Sequence, residues 1–142
     1  MKTGLRPLVL ALAALGPAAV QAGEIRVTVK GVRSAQGKVM AALYDSAEAY
    51  AGKNRRDGLE LTARPGDVQG VFITLPPGRY GIAVYHDENG NGKLDYNLFG
   101  VPLEGFGFSR DAVGDMAPPS FDATAFTVDG NAVLPVGLTL RY

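Results

Sequence analysis

Apolar and polar residues alternate along much of the chain, which is the pattern of β-strands with one buried face. Between residues 25 and 30, three aliphatic residues alternate with arginine, threonine and lysine. Similar short runs follow at 39–43, 59–63, 71–75, 80–86, 124–128 and 134–140. Turns that contain glycine, proline or asparagine separate most of these runs. The sequence therefore predicts about seven short strands, with one helical turn between residues 46 and 54.

The alternation stops between residues 97 and 122, in a segment that we call the insert. It contains four glycines, three prolines and four phenylalanines. Its phenylalanines either pack as a long loop onto the rest of the domain, or line a pocket or a partner surface. Many short strands and little helix predict an all-β fold, a single antiparallel β-sandwich of about seven strands that carries this long insert.

Residues 1–22 have the features of a secretory signal peptide. Two basic residues precede an apolar segment, 8–15, and small residues stand at positions −3 and −1 of a cleavage site after Ala22. We therefore expect a mature domain, 23–142, in the periplasm or outside the cell. A retained N-terminal anchor is the alternative. The mature domain has no second stretch that is long and apolar enough to span a bilayer.

The composition of the mature domain narrows its class of partner. It carries 12 basic and 14 acidic residues without a basic patch or a charge run, which argues against a nucleic-acid partner. It has no cysteine, so its core must hold the fold without disulfides. Its 120 residues suit one domain with one core. We expect an envelope protein or a small ligand as the partner.

Oxygen-bearing side chains alternate between residues 87 and 95, in a segment that we call the oxygen-rich loop. Asp87, Asn89 and Asn91 match the first three ligand positions of an EF-hand calcium loop. Gly92 stands where such a loop turns sharply. A hard cation takes six to eight oxygen ligands, and a tight loop can gather several of them around one point. The spacing therefore predicts a Ca²⁺-binding loop.

The end of this loop departs from the EF-hand pattern. Leu98 stands where an EF-hand has its bidentate glutamate, and the flanking segments are predicted strands rather than helices. A sandwich loop can recruit its last carboxylate from elsewhere, and Glu104 is the next acidic residue along the chain. The predicted Ca²⁺ ligands are Asp87, Asn89, Asn91, Lys93 through its backbone carbonyl, Asp95 and Glu104. The alternative is a plain turn, since aspartate, asparagine and glycine are common in tight loops.

Catalytic chemistry has little support in the sequence. His86, the single histidine, lies on the apolar face of its predicted strand, and its simplest role is structural, at a sheet edge. No serine lies in a nucleophile-elbow context. We therefore predict a protein that is not an enzyme. The alternative is a hydrolase of envelope carbohydrate or peptide that uses His86, Asp87 and Glu104.

Three stretches together resemble a known family. Their sequences are LPPGRY at 75–80, HDENGNGKLD at 86–95 and FGVPLEGFGFS at 99–109. The chain resembles, over essentially the whole mature domain, a family of uncharacterised exported bacterial proteins that is filed as a domain of unknown function. The resemblance implies export, one small β domain and no established activity. The Pro-Pro-Gly-x-Tyr piece alone is similar to a turn and strand of prealbumin-like and collagen-adhesin B-type sandwiches, which implies a prealbumin-like or immunoglobulin-like sandwich.

Overall fold

The computed structural model describes residues 13–17 and 22–142. Residues 13–17 are exposed and form no regular secondary structure, and most of the predicted signal peptide lies outside the described residues. No helix in the described part of the chain is both long and apolar enough to cross a lipid bilayer.

The domain contains eight strands and three short helical segments. The strands are β1 (Gly23–Val32), β2 (Lys38–Tyr44), β3 (Asp57–Thr62), β4 (Gly66–Leu75), β5 (Gly78–Asp87), β6 (Phe106–Phe108), β7 (Phe126–Val128) and β8 (Val133–Thr139). The helical segments are α1 (Ala47–Ala51), a 3₁₀ turn (Ser109–Asp111) and α2 (Phe121–Thr124). Both α-helices begin at a serine, Ser46 and Ser120, whose hydroxyl accepts the backbone N–H three residues later.

The strands form two sheets. One has the order β4-β1-β8, and the other has the order β3-β2-β5-β6, with β7 also paired to β5. The predicted all-β sandwich is therefore confirmed. Its named strand pairs are antiparallel as predicted, except that β8 runs parallel to β1. The turn at 129–131 carries the chain from one sheet to the other instead of closing a hairpin, so β8 pairs with a strand far away in the sequence.

The core lies between the two sheets and consists of the alternating apolar residues. Ile25, Val27 and Val29 of β1 are fully buried, as are Val39 and Leu43 of β2. Burial of each such side chain contributes roughly 1.5 to 3 kcal/mol to folding. No buried side-chain nitrogen or oxygen among the described residues lacks a hydrogen-bond partner. Apolar burial and satisfied polar groups thus hold the domain without a disulfide.

The insert is more regular than the sequence predicts. It supplies β6, which extends the sheet beyond β5, and then the 3₁₀ turn and α2. Gly107, at the centre of β6, lies so close to β8 that a Cβ there would be 2.7 Å from the carbonyl oxygen of Thr139. The flanking Phe106 and Phe108 point the other way, onto the outer face of the sheet. Close approach to β8 therefore explains the alternation of glycine and phenylalanine in this short strand.

Candidate functional site

The oxygen-rich loop is held from within by Asp87. This carboxylate is buried at the end of β5, where its two oxygens accept the backbone N–H groups of Asn91 at 3.2 Å and Gly92 at 2.9 Å. Gly90 and Gly92 both have positive φ values, of 70° and 78°, which L-residues with a side chain rarely adopt. The tight turn that the sequence predicts here therefore forms, and Asp87 fixes its conformation.

The side chains of the loop converge on Asp95. Its carboxylate accepts hydrogen bonds from the side-chain amides of Asn89, at 2.6 Å, and Asn91, at 2.8 and 2.9 Å. These two amides lower the pKa of Asp95. The side-chain oxygens of Asn89 and Asn91 accept backbone N–H groups, that of Asn91 and that of Lys93 respectively. The loop thus satisfies its own polar groups.

Glu104 joins the two ends of this loop from the insert. Its side chain is buried, and its two oxygens accept the backbone N–H of Glu88 at 3.0 Å and of Asp95 at 3.2 Å. The structure therefore brings Glu104 to the loop in which the sequence expects it to act. Its contacts there are to backbone N–H groups.

The side chains of the loop would have to rearrange before their oxygen atoms could coordinate a calcium ion. Asp87, Asp95 and Glu104 already accept N–H donors, and the asparagine amides turn nitrogen rather than oxygen toward Asp95. Within the described ranges, no three or more His, Cys, Asp or Glu side chains form a group that could hold a metal ion. A Ca²⁺ ion would require the two amides to rotate and present oxygen. Binding of Ca²⁺ by these residues and by Lys93 stays a prediction.

His86 is a buried structural residue. Its Nε2–H donates to the carbonyl oxygen of Gln36 at 2.7 Å, so Nδ1 is free to accept from the Tyr142 hydroxyl, also at 2.7 Å. That hydroxyl in turn accepts the backbone N–H of Arg33 at 3.1 Å. The predicted position at a sheet edge is wrong, because β5 lies between β2 and β6 and pairs on both sides. The hydrolase alternative gains no support, since His86, Asp87 and Glu104 are all buried and hydrogen-bonded within the fold.

A long groove crosses the outer face of the five-stranded sheet; we call it the outer groove. Its floor is made by Ala42 and Ala83, which are direct partners across β2 and β5. Their small side chains leave room between larger aromatic residues on the same face. The groove encloses about 990 Å³. It is therefore large enough for a small-molecule ligand, for which pockets of about 300 to 1,000 Å³ are usual.

Tyrosine and phenylalanine side chains wall the groove at both ends. At one end the Tyr44 and Tyr50 rings meet edge to face, with centroids 5.3 Å apart. The Tyr50 hydroxyl donates to the carbonyl oxygen of Pro119 at 2.9 Å, which ties α1 to the insert. Burial raises the pKa of Tyr50 to about 12. At the other end lie Tyr85 and Phe106, so aromatic side chains stand at both ends of the alanine floor.

A compact hairpin, residues 96–103, forms part of the rim. Its tip is fixed by Asn97, whose side-chain oxygen accepts the backbone N–H groups of Phe99 at 2.9 Å and Val101 at 3.0 Å. The tip presents large apolar side chains to solvent, with Leu98 fully exposed and Phe99 89% exposed. Such an exposed apolar rim beside a groove marks a binding surface more often than a passive one.

Comparison with known proteins places the domain in a family. Residues 27–134 match DUF2141, a family described as "Uncharacterized protein conserved in bacteria". The chain belongs to DUF2141. No curated protein and no solved structure matches it significantly. In this DUF2141 chain, the matched segment contains the oxygen-rich loop, Glu104 and the floor of the outer groove.

The sequence of this DUF2141 member does not predict the outer groove as a site. For the insert it leaves two alternatives open, a long loop packed onto the domain, or the lining of a pocket or a partner surface. A signal for its floor exists in the sequence. Ala42 and Tyr44 in β2, and Ala83 and Tyr85 in β5, occupy outward positions where a solvated sheet face would carry polar residues. Apolar residues on both faces of two adjacent strands indicate that the outer face is covered or binds something.

Proposed function

We propose that this chain is an exported, non-catalytic binding domain of the bacterial cell envelope, and that it binds an apolar small molecule in the outer groove. The observation that carries the proposal is the groove itself, an aromatic-lined volume of about 990 Å³ over a floor of two alanines. Largely apolar, concave surfaces of this size are the usual sites for small ligands.

The placement of the polar residues supports a binding role. His86, Asp87 and Glu104 are buried and engaged in hydrogen bonds that hold the loop and the strand end. None of the three lines the groove. The chemistry-bearing residues that the sequence singles out therefore act on the fold, and the surface available for recognition is aromatic.

Two further features belong to the proposal. The first is cleavage after Ala22, followed by export to the periplasm or out of the cell. The intact mass of protein exported by a Gram-negative host tests this, and it should correspond to a chain that starts at Gly23. The oxygen-rich loop is stabilised by Ca²⁺, which is more abundant outside the cytoplasm, through the six residues named above.

The groove is tested with the neutral fluorescent probe N-phenyl-1-naphthylamine. We expect its emission to rise on binding to the purified mature domain, because its naphthyl and phenyl rings can pack against the aromatic side chains that line the groove. Ala83→Phe and Ala42→Leu fill the floor and should each weaken binding at least tenfold. Gln69→Phe, an added ring on the exposed face of the other sheet, is the matched control and should leave binding unchanged.

The outcomes separate the possibilities. Loss of probe binding in both floor variants, with a normal far-ultraviolet circular dichroism spectrum, supports the groove. No saturable binding to the wild type, or binding that the floor variants leave unchanged, would refute it.

A further inference from the structure

A second, smaller cavity adjoins the outer groove. It encloses about 160 Å³ and is lined by residues of β2 and β3 together with Arg55. Ala42 and Tyr85 line both cavities and so lie between them. The apolar groove therefore borders a small polar recess with a cationic side chain in its wall.

The cation in this recess is Arg55. Its side chain covers Gly58, where a Cβ would meet the Arg55 Nε atom at 2.8 Å. Among the described residues, no carboxylate lies within ion-pair distance of Arg55. The one acidic residue in the same recess, Glu60, is paired with Lys38 at 2.7 Å. The guanidinium thus keeps its hydrogen-bond donors available.

Further cationic side chains line the outer groove. They are Lys53, which follows α1, and Arg141, and within the described residues neither has an ion-pair partner. Asp111, an acid in the groove wall, is engaged by the backbone N–H of Thr139 at 2.7 Å. Burial raises the pKa of Tyr44, and the positive charge of Arg55 opposes that rise. Burial also raises the pKa of Tyr85, where the carboxylates of Asp87, Glu104 and Glu60 add to the rise and Arg55 opposes it, so Arg55 lies within electrostatic reach of both rings.

We propose that the ligand of the outer groove is a long-chain carboxylate. Its aliphatic chain lies along Ala42 and Ala83 between the aromatic walls, and its carboxylate enters the small recess and accepts hydrogen bonds from Arg55, with Lys53 adding positive charge. An ionised acceptor suits the planar fork of a guanidinium, and an unbranched aliphatic chain suits a floor of two alanines. This inference rests on the proposed function of the groove.

The test compares dodecanoate with dodecanol as competitors of N-phenyl-1-naphthylamine, both below the concentrations at which they aggregate. The two molecules share a chain and differ in head-group charge. We expect dodecanoate to displace the probe at about one tenth of the dodecanol concentration, as a charge-assisted hydrogen bond at a partly exposed site would give. Arg55→Gln should reduce this preference to about twofold or less, without changing the affinity for dodecanol.

Arg64→Gln is the matched control, since Arg64 is another exposed arginine without an ion-pair partner in the described part of the chain. It should leave the preference at the wild-type value. Equal displacement by dodecanol and dodecanoate would overturn the carboxylate assignment and leave the apolar groove intact, whereas failure of the probe and of both competitors to bind would refute the proposed function itself. Concentration-dependent dimerisation that closes the groove, seen by sedimentation, would also overturn the assignment.

Discussion

Substitution of Glu104 by glutamine tests how the oxygen-rich loop is held in the absence of any ion. The wild-type carboxylate accepts two backbone N–H groups, from Glu88 and Asp95, which lie near opposite ends of the loop. A glutamine keeps the shape but has one accepting oxygen, and it turns an NH₂ group toward the second backbone N–H. One charge-assisted bond becomes a neutral bond, and the other is replaced by two facing donors.

The expected loss in the free energy of unfolding follows from these two hydrogen bonds. A hydrogen bond to a charged group contributes about 1.5 to 3 kcal/mol, and the neutral bond that remains contributes about 1 kcal/mol. Both hydrogen bonds are only partly buried, so hydration recovers part of the loss. We therefore expect Glu104→Gln to lower the free energy of unfolding by about 2 to 3 kcal/mol. For a domain of this size that corresponds to a fall in the thermal midpoint of roughly 6 to 12 °C.

The assay is thermal unfolding followed by circular dichroism, in buffer with chelator and at neutral pH. Glu60→Gln is the control, because Glu60 is an exposed carboxylate whose one ion pair among the described residues is with Lys38. It should leave the midpoint within the scatter of repeated scans. A Glu104→Gln midpoint equal to that of the wild type would show that the buried carboxylate does not brace the loop.

Three further expectations concern the same end of the sandwich. Tyr142→Phe leaves the buried Nδ1 of His86 without its donor and should cost about 1 to 3 kcal/mol in urea unfolding; an unchanged transition midpoint would contradict this. The hydrogen bond from Arg33 lowers the pKa of Glu88 below its ordinary 4.5. The ion pair therefore adds stability above pH 4.5, and this stability is lost as the pH falls through the pKa of Glu88 in the folded state. Arg33→Gln should weaken the fall of the thermal midpoint with acid in a series of melts at different pH. Calcium at 10 mM, about 100 times a dissociation constant near 10⁻⁴ M, should add about 2.7 kcal/mol, and Mg²⁺ less. Asp87→Ala should abolish that response, and an unchanged wild-type midpoint would mean that the loop is only a turn.

The strands could be predicted because their signal is local. Alternation within β1 reports directly on which residues face the core, and the same holds for β5 and the C-terminal strand. Pairing between strands is not local. Nothing in the alternation of Val133–Thr139 indicates that this strand runs parallel to β1. The short strand β6 was not predicted for a related reason. Its Phe-Gly-Phe sequence is explained by contact with a strand about thirty residues away.

In the candidate site, too, local features could be predicted from the sequence, and contacts between distant segments could not. The turn between Asp87 and Asp95 follows from spacing along the chain, and Glu104 could be predicted to join it because it is the next carboxylate in the sequence. The outer groove depends on register instead. Ala42 and Ala83 are 41 positions apart in sequence, and only their pairing across β2 and β5 places two small side chains together. Partners from distant segments, such as Gln36 and Tyr142 at His86, were missed for that reason.

The loop and the groove share strand β5 and the segment that follows it, which bears on how the experiments are interpreted. Tyr85 faces the groove, while Asp87, two residues later, anchors the loop. The carbonyl oxygen of Asp95 then accepts the backbone N–H of Leu103 at 2.9 Å, which closes the hairpin that forms the groove rim. A conformational change in the oxygen-rich loop therefore affects the outer groove through the hairpin at the groove rim. The position of the alanine floor depends instead on the pairing of β2 with β5. Substitutions in the floor that leave the circular dichroism spectrum unchanged consequently report on ligand binding, and loop substitutions that also alter probe affinity act through the hairpin.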